Sequence, residues 1–285
     1  MQTGFRLSLF NGVFRNFRQF RIAAAVNKKP AGITDPFMLH AYLQNAQIDP
    51  DIDAVKILCV FRRHDADTGV FCVADGMGGG QGGALASQWT VEALNAVTAP
   101  SADVYQTRAT EALQHANDRI RRHASEQGYK MMGTTVALLR INPQEPMLGL
   151  VGHAGDSRVY RLRANRLDAL TTDHTVGNEL GRAYSSFGGM ESKNLKSRQN
   201  PLTHVLTRAV GTQMLVNPEW KTVNVFKGDR YLLCSDGVHD MLSDDDLCKL
   251  MSSSRHPETV VENISKAVRA AGAGDNYTIV CIFTY

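Results

Sequence analysis

The stretch Phe71-Cys72-Val73-Ala74-Asp75-Gly76-Met77-Gly78-Gly79-Gly80, residues 71–80, sets the problem that the fold has to solve. An apolar run ends on a single carboxylate, Asp75, and glycines then crowd the chain as far as Gly83. An apolar run bounded by turn residues reads as a buried strand. A second run, residues 55–61, precedes it. The connection Arg62-Arg63-His64-Asp65-Ala66-Asp67-Thr68-Gly69 is polar and ends in glycine, so residues 55–61 and 70–74 are expected to pair as a hairpin.

Outward from this hairpin the pattern changes period. Residues 84–97 read as a helix. Ser101 can cap a second one, on which Ala109, Ala112, Leu113, Ala116 and Ile120 form an apolar stripe, with Gly128 as its stop. Strands are expected at 134–141, 147–151, 158–163, 222–226 and 231–234. A helix opens at Pro257 with Val260, Val261, Ile264, Val268 and Ala271 on one face, and a strand at 277–283 closes the chain. Residues 176–203 are polar and dotted with glycine, without a strong period, and read as a mobile insertion. Strands that cluster in pairs between long helices predict an α+β protein with antiparallel sheets. No internal repeat or linker divides the chain.

Composition narrows the function classes. The chain has 285 residues, 43% hydrophobic and 21% charged, enough to bury a full core. A net charge of +3 argues against a dedicated nucleic-acid binder. No apolar run approaches the ~18 residues of a membrane span. Five cysteines, Cys59, Cys72, Cys234, Cys248 and Cys281, form no CxxC and sit mostly in apolar runs, so they read as reduced, buried thiols. The first 34 residues carry six basic residues and no acid, with Phe10, Val13, Phe14, Phe17 and Phe20 at helical spacing. A membrane-surface helix has this pattern. So does an extension packed on the domain, which is the reading favoured for residues 1–40, with the domain proper at 41–285.

Four acids share one local grammar. Asp75 and Asp236 end apolar runs and precede glycine; Asp156 and Asp275 follow glycine beside a strand. A lone Asp-Gly pair makes turns. Four at strand ends are harder to explain so, because carboxylates converging in a cleft repel unless a cation neutralises them. Oxygen-only donors favour Mg2+ or Mn2+ over zinc.

FCVADGMGG, GTTVALL, VGHAGDSRVYRL, LTTDHT, LTRAVGT, YLLCSDGVHDML and GAGDNYTIV occur in this order. Over about residues 53–283 the chain thereby resembles the metal-dependent protein phosphatases of the type 2C (PPM) family, and its DGMGG form resembles the bacterial members. The resemblance implies a four-layer α-β-β-α sandwich of two antiparallel sheets flanked by helices. It implies hydrolysis of phosphoserine and phosphothreonine in proteins by a water shared between two Mn2+ or Mg2+ ions, without a phosphoenzyme. Asp75 would bridge the ions, with the Gly76 carbonyl on one of them. Asp236 and Asp275 would complete the first site, and Asp156 would hold a third, weaker ion. Thr134, Thr135, Ser157 and Asn276 would support the site. Expected partners are phosphorylated proteins set by an opposing serine/threonine kinase, for a monomer in the cytoplasm. Residues 176–203 would form a flap beside the cleft.

The resemblance breaks upstream. Where the family has Arg-x-x-Asn-Glu-Asp, the best register places Asp53 on the final acid, but Ile52 on the glutamate and Ile48 on the arginine. Asp49 or Asp51 could replace the carboxylate, and Arg62, Arg63 or an N-terminal arginine the phosphate ligand. Met77 stands where animal and plant members have histidine, leaving no obvious general acid. These departures favour an alternative, a catalytically weak member serving as a binding or regulatory module; the retained Asp75, Asp236 and Asp275 favour an active enzyme.

Overall fold

The computed structural model describes residues 20–26, 39–42, 55–60, 69–78, 80–141, 147–186, 200–272 and 274–284, the first three segments as backbone alone. In chain order its first half runs β1 (Phe20–Val26), β2 (Leu39–Tyr42), β3 (Val55–Val60), β4 (Gly69–Met77), α1 (Gly80–Asn95), α2 (Ala102–Gln127), β5 (Gly133–Thr134), β6 (Val136–Ile141) and β7 (Leu148–Ala154). The second half runs β8 (Arg158–Arg163), β9 (Arg166–Ala169), α3 (Val176–Ser186), β10 (Glu219–Asn224), β11 (Arg230–Cys234), α4 (Asp236–His239), α5 (Asp244–Ser252), α6 (Pro257–Ala270) and β12 (Thr278–Thr284).

The strand that opens the problem, β4, shows why its apolar run is continuous. Phe71 and Val73 face one core layer, with Val151, Tyr231, Leu233, Val280 and Ile282. Cys72 and Ala74 face another, with Leu94, Tyr105, Leu113 and Ile120 of α1 and α2. Side chains alternate across a strand, so a strand buried on both faces has no polar side to show. A third layer packs Leu232, Cys234, Ile279 and Cys281 against Leu247, Met251, Val260, Ile264 and Val268 of α5 and α6. Each such large apolar side chain contributes about 1.5–3 kcal/mol on full burial.

Two sheets follow, one ordered β1-β12-β11-β8-β9 and the other β10-β7-β6-β4-β3-β2, with β5 paired to the end of β4. Every named pair is antiparallel. The four-layer α-β-β-α architecture expected from the resemblance is therefore the one observed. The hairpin of β3 and β4 also forms, with Val55 opposite Asp75. Ser101 caps α2 by accepting the Val104 N–H, and Gly128 ends it in the left-handed conformation at φ 69°.

One expectation needs correction. Residues 176–186 are a helix, α3, not an irregular insertion. Its Gly177 and Gly181 are buried on one face, so the glycines that suggested a loop serve close packing. Within the expected N-terminal extension of residues 1–40, part of the chain joins a sheet. β1 lies wholly within that stretch, paired with β12 from Phe20 opposite Thr284 to Val26 opposite Thr278. β1, β2, β9, α4 and α5 had no counterpart among the expected elements. β9 follows a tight turn at Ala164 and Asn165, both at positive φ. Among the described residues Cys72, Cys234 and Cys281 are buried free thiols and Cys248 is half-buried.

Candidate active site

β4 delivers Asp75 to one edge of its sheet, where the backbone around it is fixed at several points. Thr135 donates its N–H to the Asp75 carbonyl at 2.8 Å. The Thr134 hydroxyl donates to the same oxygen at 2.8 Å, and the Asp75 N–H donates to Thr135 Oγ1 at 3.1 Å. Gly76 pairs with Thr134, and a Cβ there would lie 2.0 Å from the Gly83 carbonyl oxygen. Only glycine lets the start of α1 close onto this strand end.

A hydrogen bond stitches this edge to the other sheet. Thr135 Oγ1 and Ser157 Oγ are 2.7 Å apart and buried. Ser157 belongs to the turn that carries Asp156 from β7 to β8. Gly155 in that turn has φ +111°, and a Cβ there would meet Thr135 at 2.7 Å. The register of the second sheet sets Arg158 opposite Cys234, and Cys234 opposite Ile279. The start of β8, the end of β11 and the start of β12 therefore share one edge, and with them Asp156, Asp236 and Asp275. Gly237 completes the junction: a Cβ there would stand 2.2 Å from the Asn276 carbonyl oxygen. All four acids of the shared grammar thus meet along one edge of the sandwich.

Their electrostatics show the strain of that meeting. Burial pushes the Asp236 carboxyl above its usual range, and the charge of Asp275 adds to the effect. Burial pushes Asp156 well above its range too, with Asp236 and then Asp173 adding. Against this, Asp236 accepts the Gly237 N–H at 2.7 Å, and Asp275 accepts the Asn276 N–H at 2.6 Å. The donors are all oxygen and half or more buried except at Asp275, and Asp236 repels both Asp156 and Asp275, as expected of a site for a hard divalent cation. Asp53, Ile52, Ile48, Asp49, Asp51, Arg62 and Arg63 lie outside the described residues.

A cleft of about 60 Å3 opens beside Asp156, lined by Arg158, Asp173, Asn178, Thr203, His204, His239 and Asp240. Arg158 is committed within it. Its fork grips Asp173 at 2.7 and 2.6 Å, and Nη1 donates to the Tyr160 hydroxyl at 2.7 Å. His239 Nε2 donates to the Asp156 carbonyl at 3.0 Å. Asn178 comes from α3, and Thr203 lies at the far end of segment 176–203, just before His204, so both ends of that segment border the cleft. Sequence reasoning named none of Arg158, Asp173, His204, His239 and Asp240 as site residues. The adjacency of His239 and Asp240 to Asp236 in YLLCSDGVHDML was the available signal.

Comparison with known proteins agrees with this geometry. Residues 50–270 match the family model described as Protein phosphatase 2C. Protein phosphatase PhpP of Streptococcus pneumoniae is 29% identical over 214 residues, 74% of this chain and 83% of that protein. Serine/threonine phosphatase stp of Listeria welshimeri is 29% identical over 238 residues, 78% of this chain and 90% of that one. Among solved structures, one described as "PppA, a key regulatory component of T6SS in Pseudomonas aeruginosa" superposes with a TM-score of 0.71 at 27% identity, covering 93% of this chain and 98% of that one. Among the described residues no helix is long and apolar enough to cross a membrane.

Proposed function

The chain belongs to the protein phosphatase 2C family, and from that premise we propose that the acidic edge is its catalytic centre. The protein is a serine/threonine protein phosphatase, hydrolysing phosphoserine and phosphothreonine in proteins with divalent cations. Asp75, the Gly76 carbonyl, Asp236 and Asp275 would hold two ions, Mn2+ or Mg2+, and Asp156 would hold a third more loosely. When bound, such ions would supply acidification of a water and neutralisation of charge on the phosphoryl oxygens.

The chain's own residues do the positioning. Thr134 and Thr135 fix the Asp75 backbone, and Ser157 ties it through Thr135 to the Asp156 turn. Gly237 keeps α4 against the Asp275 loop. The segment 176–203 borders the cleft through Asn178 and Thr203, where it shapes the approach of the phosphorylated peptide. The substrates are phosphoproteins made by an opposing serine/threonine kinase, and the enzyme acts as a cytoplasmic monomer. The observation that carries the reading is the convergence of buried acids whose carboxyls repel one another.

The test is hydrolysis of p-nitrophenyl phosphate and of a phosphothreonine peptide, with Mn2+ and with excess chelator. Both should be cleaved only with metal, and Asp75→Asn should lose at least about a hundredfold in kcat, the scale of losing one group that stabilises the transition state. Full turnover in excess chelator would overturn the mechanism.

A further inference from the structure

Beside the acidic edge, His153, His174 and Glu219 bring one donor atom each within 4.8 Å of one another, a set that could hold a metal ion. The hydrogen bonds argue against that use. The Gly155 N–H donates to His174 Nδ1 at 3.2 Å, so this nitrogen offers its lone pair and the ring proton resides on Nε2. Nε2 faces Glu219 Oε2 at 3.4 Å. A cation at Nε2 would have to expel that proton, or drive it onto Nδ1 against the Gly155 N–H. The ring is already committed as a link.

The other end of the link is the turn that carries Asp156. His174 donates its own N–H to the Gly155 carbonyl at 3.0 Å, so one residue grips both backbone groups of Gly155. On the opposite side Thr135 fills the space a Cβ would need and holds Ser157. Asp156 lies between the two grips. His153 backs the imidazole, its ring stacked at 4.3 Å and 7°, and its Nε2 donates to the Thr172 carbonyl at 2.9 Å. Burial, with the neighbouring His153 and Arg208, takes the His174 pKa down to about 4 against the pull of Glu219, which keeps the ring neutral and able to accept.

We infer that His174 and Glu219 are positioning residues: Glu219 fixes the His174 tautomer, and His174 clamps Gly155 so that the Asp156 carboxylate is presented to its cation. The inference rests on the reading of Asp156 as a cation ligand. Nitrogen-detected NMR of the imidazole rings in metal-free protein tests the clamp directly, and should show His174 protonated at Nε2 and unprotonated at Nδ1.

Mn2+ titration of activity tests its consequence. His174→Leu should raise the half-saturating Mn2+ concentration by about tenfold, the scale of losing a partner that orients a metal ligand. His174→Asn, which puts an amide oxygen near the Nδ1 position, should stay within about threefold of wild type. Should His174→Leu fail to fold, Glu219→Leu at its half-exposed site carries the test with a shift of about threefold, and Glu219→Gln should show none. An Nδ1–H tautomer, equal Mn2+ requirements for the Leu and Asn variants, or loss of the His174 Nε2–H signal on adding diamagnetic Mg2+ each overturns the clamp. Asp156→Asn, titrated in parallel, separates the two levels: an unchanged Mn2+ requirement there overturns the proposal through its premise, whereas a wrong tautomer overturns it alone.

Discussion

The two ends of β11 each carry an acid, and the protein treats them oppositely. Asp229, just before the strand, is 1% exposed at its side chain and fully satisfied. Arg163 grips both its oxygens at 2.6 Å, the Phe226 N–H donates to it at 2.8 Å and the Tyr231 hydroxyl at 3.1 Å. Burial alone would raise its pKa, yet Arg163 and the Phe226 N–H outweigh burial and hold it below the usual range. Asp236, just after the strand, accepts the neighbouring Gly237 N–H and faces Asp275, and its pKa is raised. Buried charge is costly unless paired. One end has its counter-charge built in; the other leaves that charge to come from solution. That difference, more than the presence of acids, marks the functional edge.

Exchanging each acid for its amide should break the comparison most visibly. Asp236→Asn should cost at least about a hundredfold in kcat, as for other transition-state stabilising groups. In excess chelator it should melt no lower than wild type, because a repelling charge is gone. Asp229→Asn should do the reverse. Its activity per folded molecule should be unchanged, while the denaturant midpoint falls by the equivalent of about 2–3 kcal/mol, the value of hydrogen bonds to a charged group. Should Asp236→Asn retain activity, or melt well below wild type in chelator, the two ends would not differ as described.

The same contrast should appear along the pH axis. A carboxylate with a raised folded pKa burdens the fold above that pKa, and the burden lifts as pH falls through it. A carboxylate with a lowered folded pKa contributes stability above its unfolded value of about 4, which is lost as pH falls through the folded pKa. His153 and His174, both held neutral, also cost stability on acidification, so differences between variant and wild type are the useful quantity. In chelator, the advantage of Asp236→Asn over wild type should be largest near neutral pH and shrink as pH falls toward the unfolded carboxylate value of about 4. The deficit of Asp229→Asn should hold constant over that range and narrow only below pH ~4. Melting temperatures of the three proteins from pH 7 to pH 3 decide it; parallel curves would sink the electrostatic account.

How far the sequence could anticipate this depended on range. The strand ends of Asp75, Asp156, Asp236 and Asp275 were legible because acid and glycine are adjacent, and Ser101, Gly128 and Pro257 marked helix ends by local chemistry. α3 was hidden because Gly177 and Gly181 break helices in isolation and are excused here by packing. β1 was hidden because its reason for being a strand is β12, at the far end of the chain. The clamp of His174 on Gly155 and the bond of His239 to the Asp156 carbonyl were hidden for the same reason. Each depends on register between distant elements, which no local pattern states.

The smallest expected effect lies in the stitch between the sheets, and it sharpens why the acid edge is rigid although its carboxylates repel. Thr135 Oγ1 serves two partners, the Ser157 hydroxyl and the Asp75 N–H. Ser157→Ala removes one bond and leaves Thr135 still occupied, so it should cost about 1 kcal/mol, the net worth of a typical hydrogen bond. Thr135→Val keeps the shape but strands both the Ser157 hydroxyl and the Asp75 N–H, so it should cost about 2–3 kcal/mol and slow turnover several-fold. Because the shared bond is lost in either variant, the double variant should lose less than the sum of the two. Additive losses would mean that Thr135 acts on each partner separately and that the edge owes its alignment to packing alone.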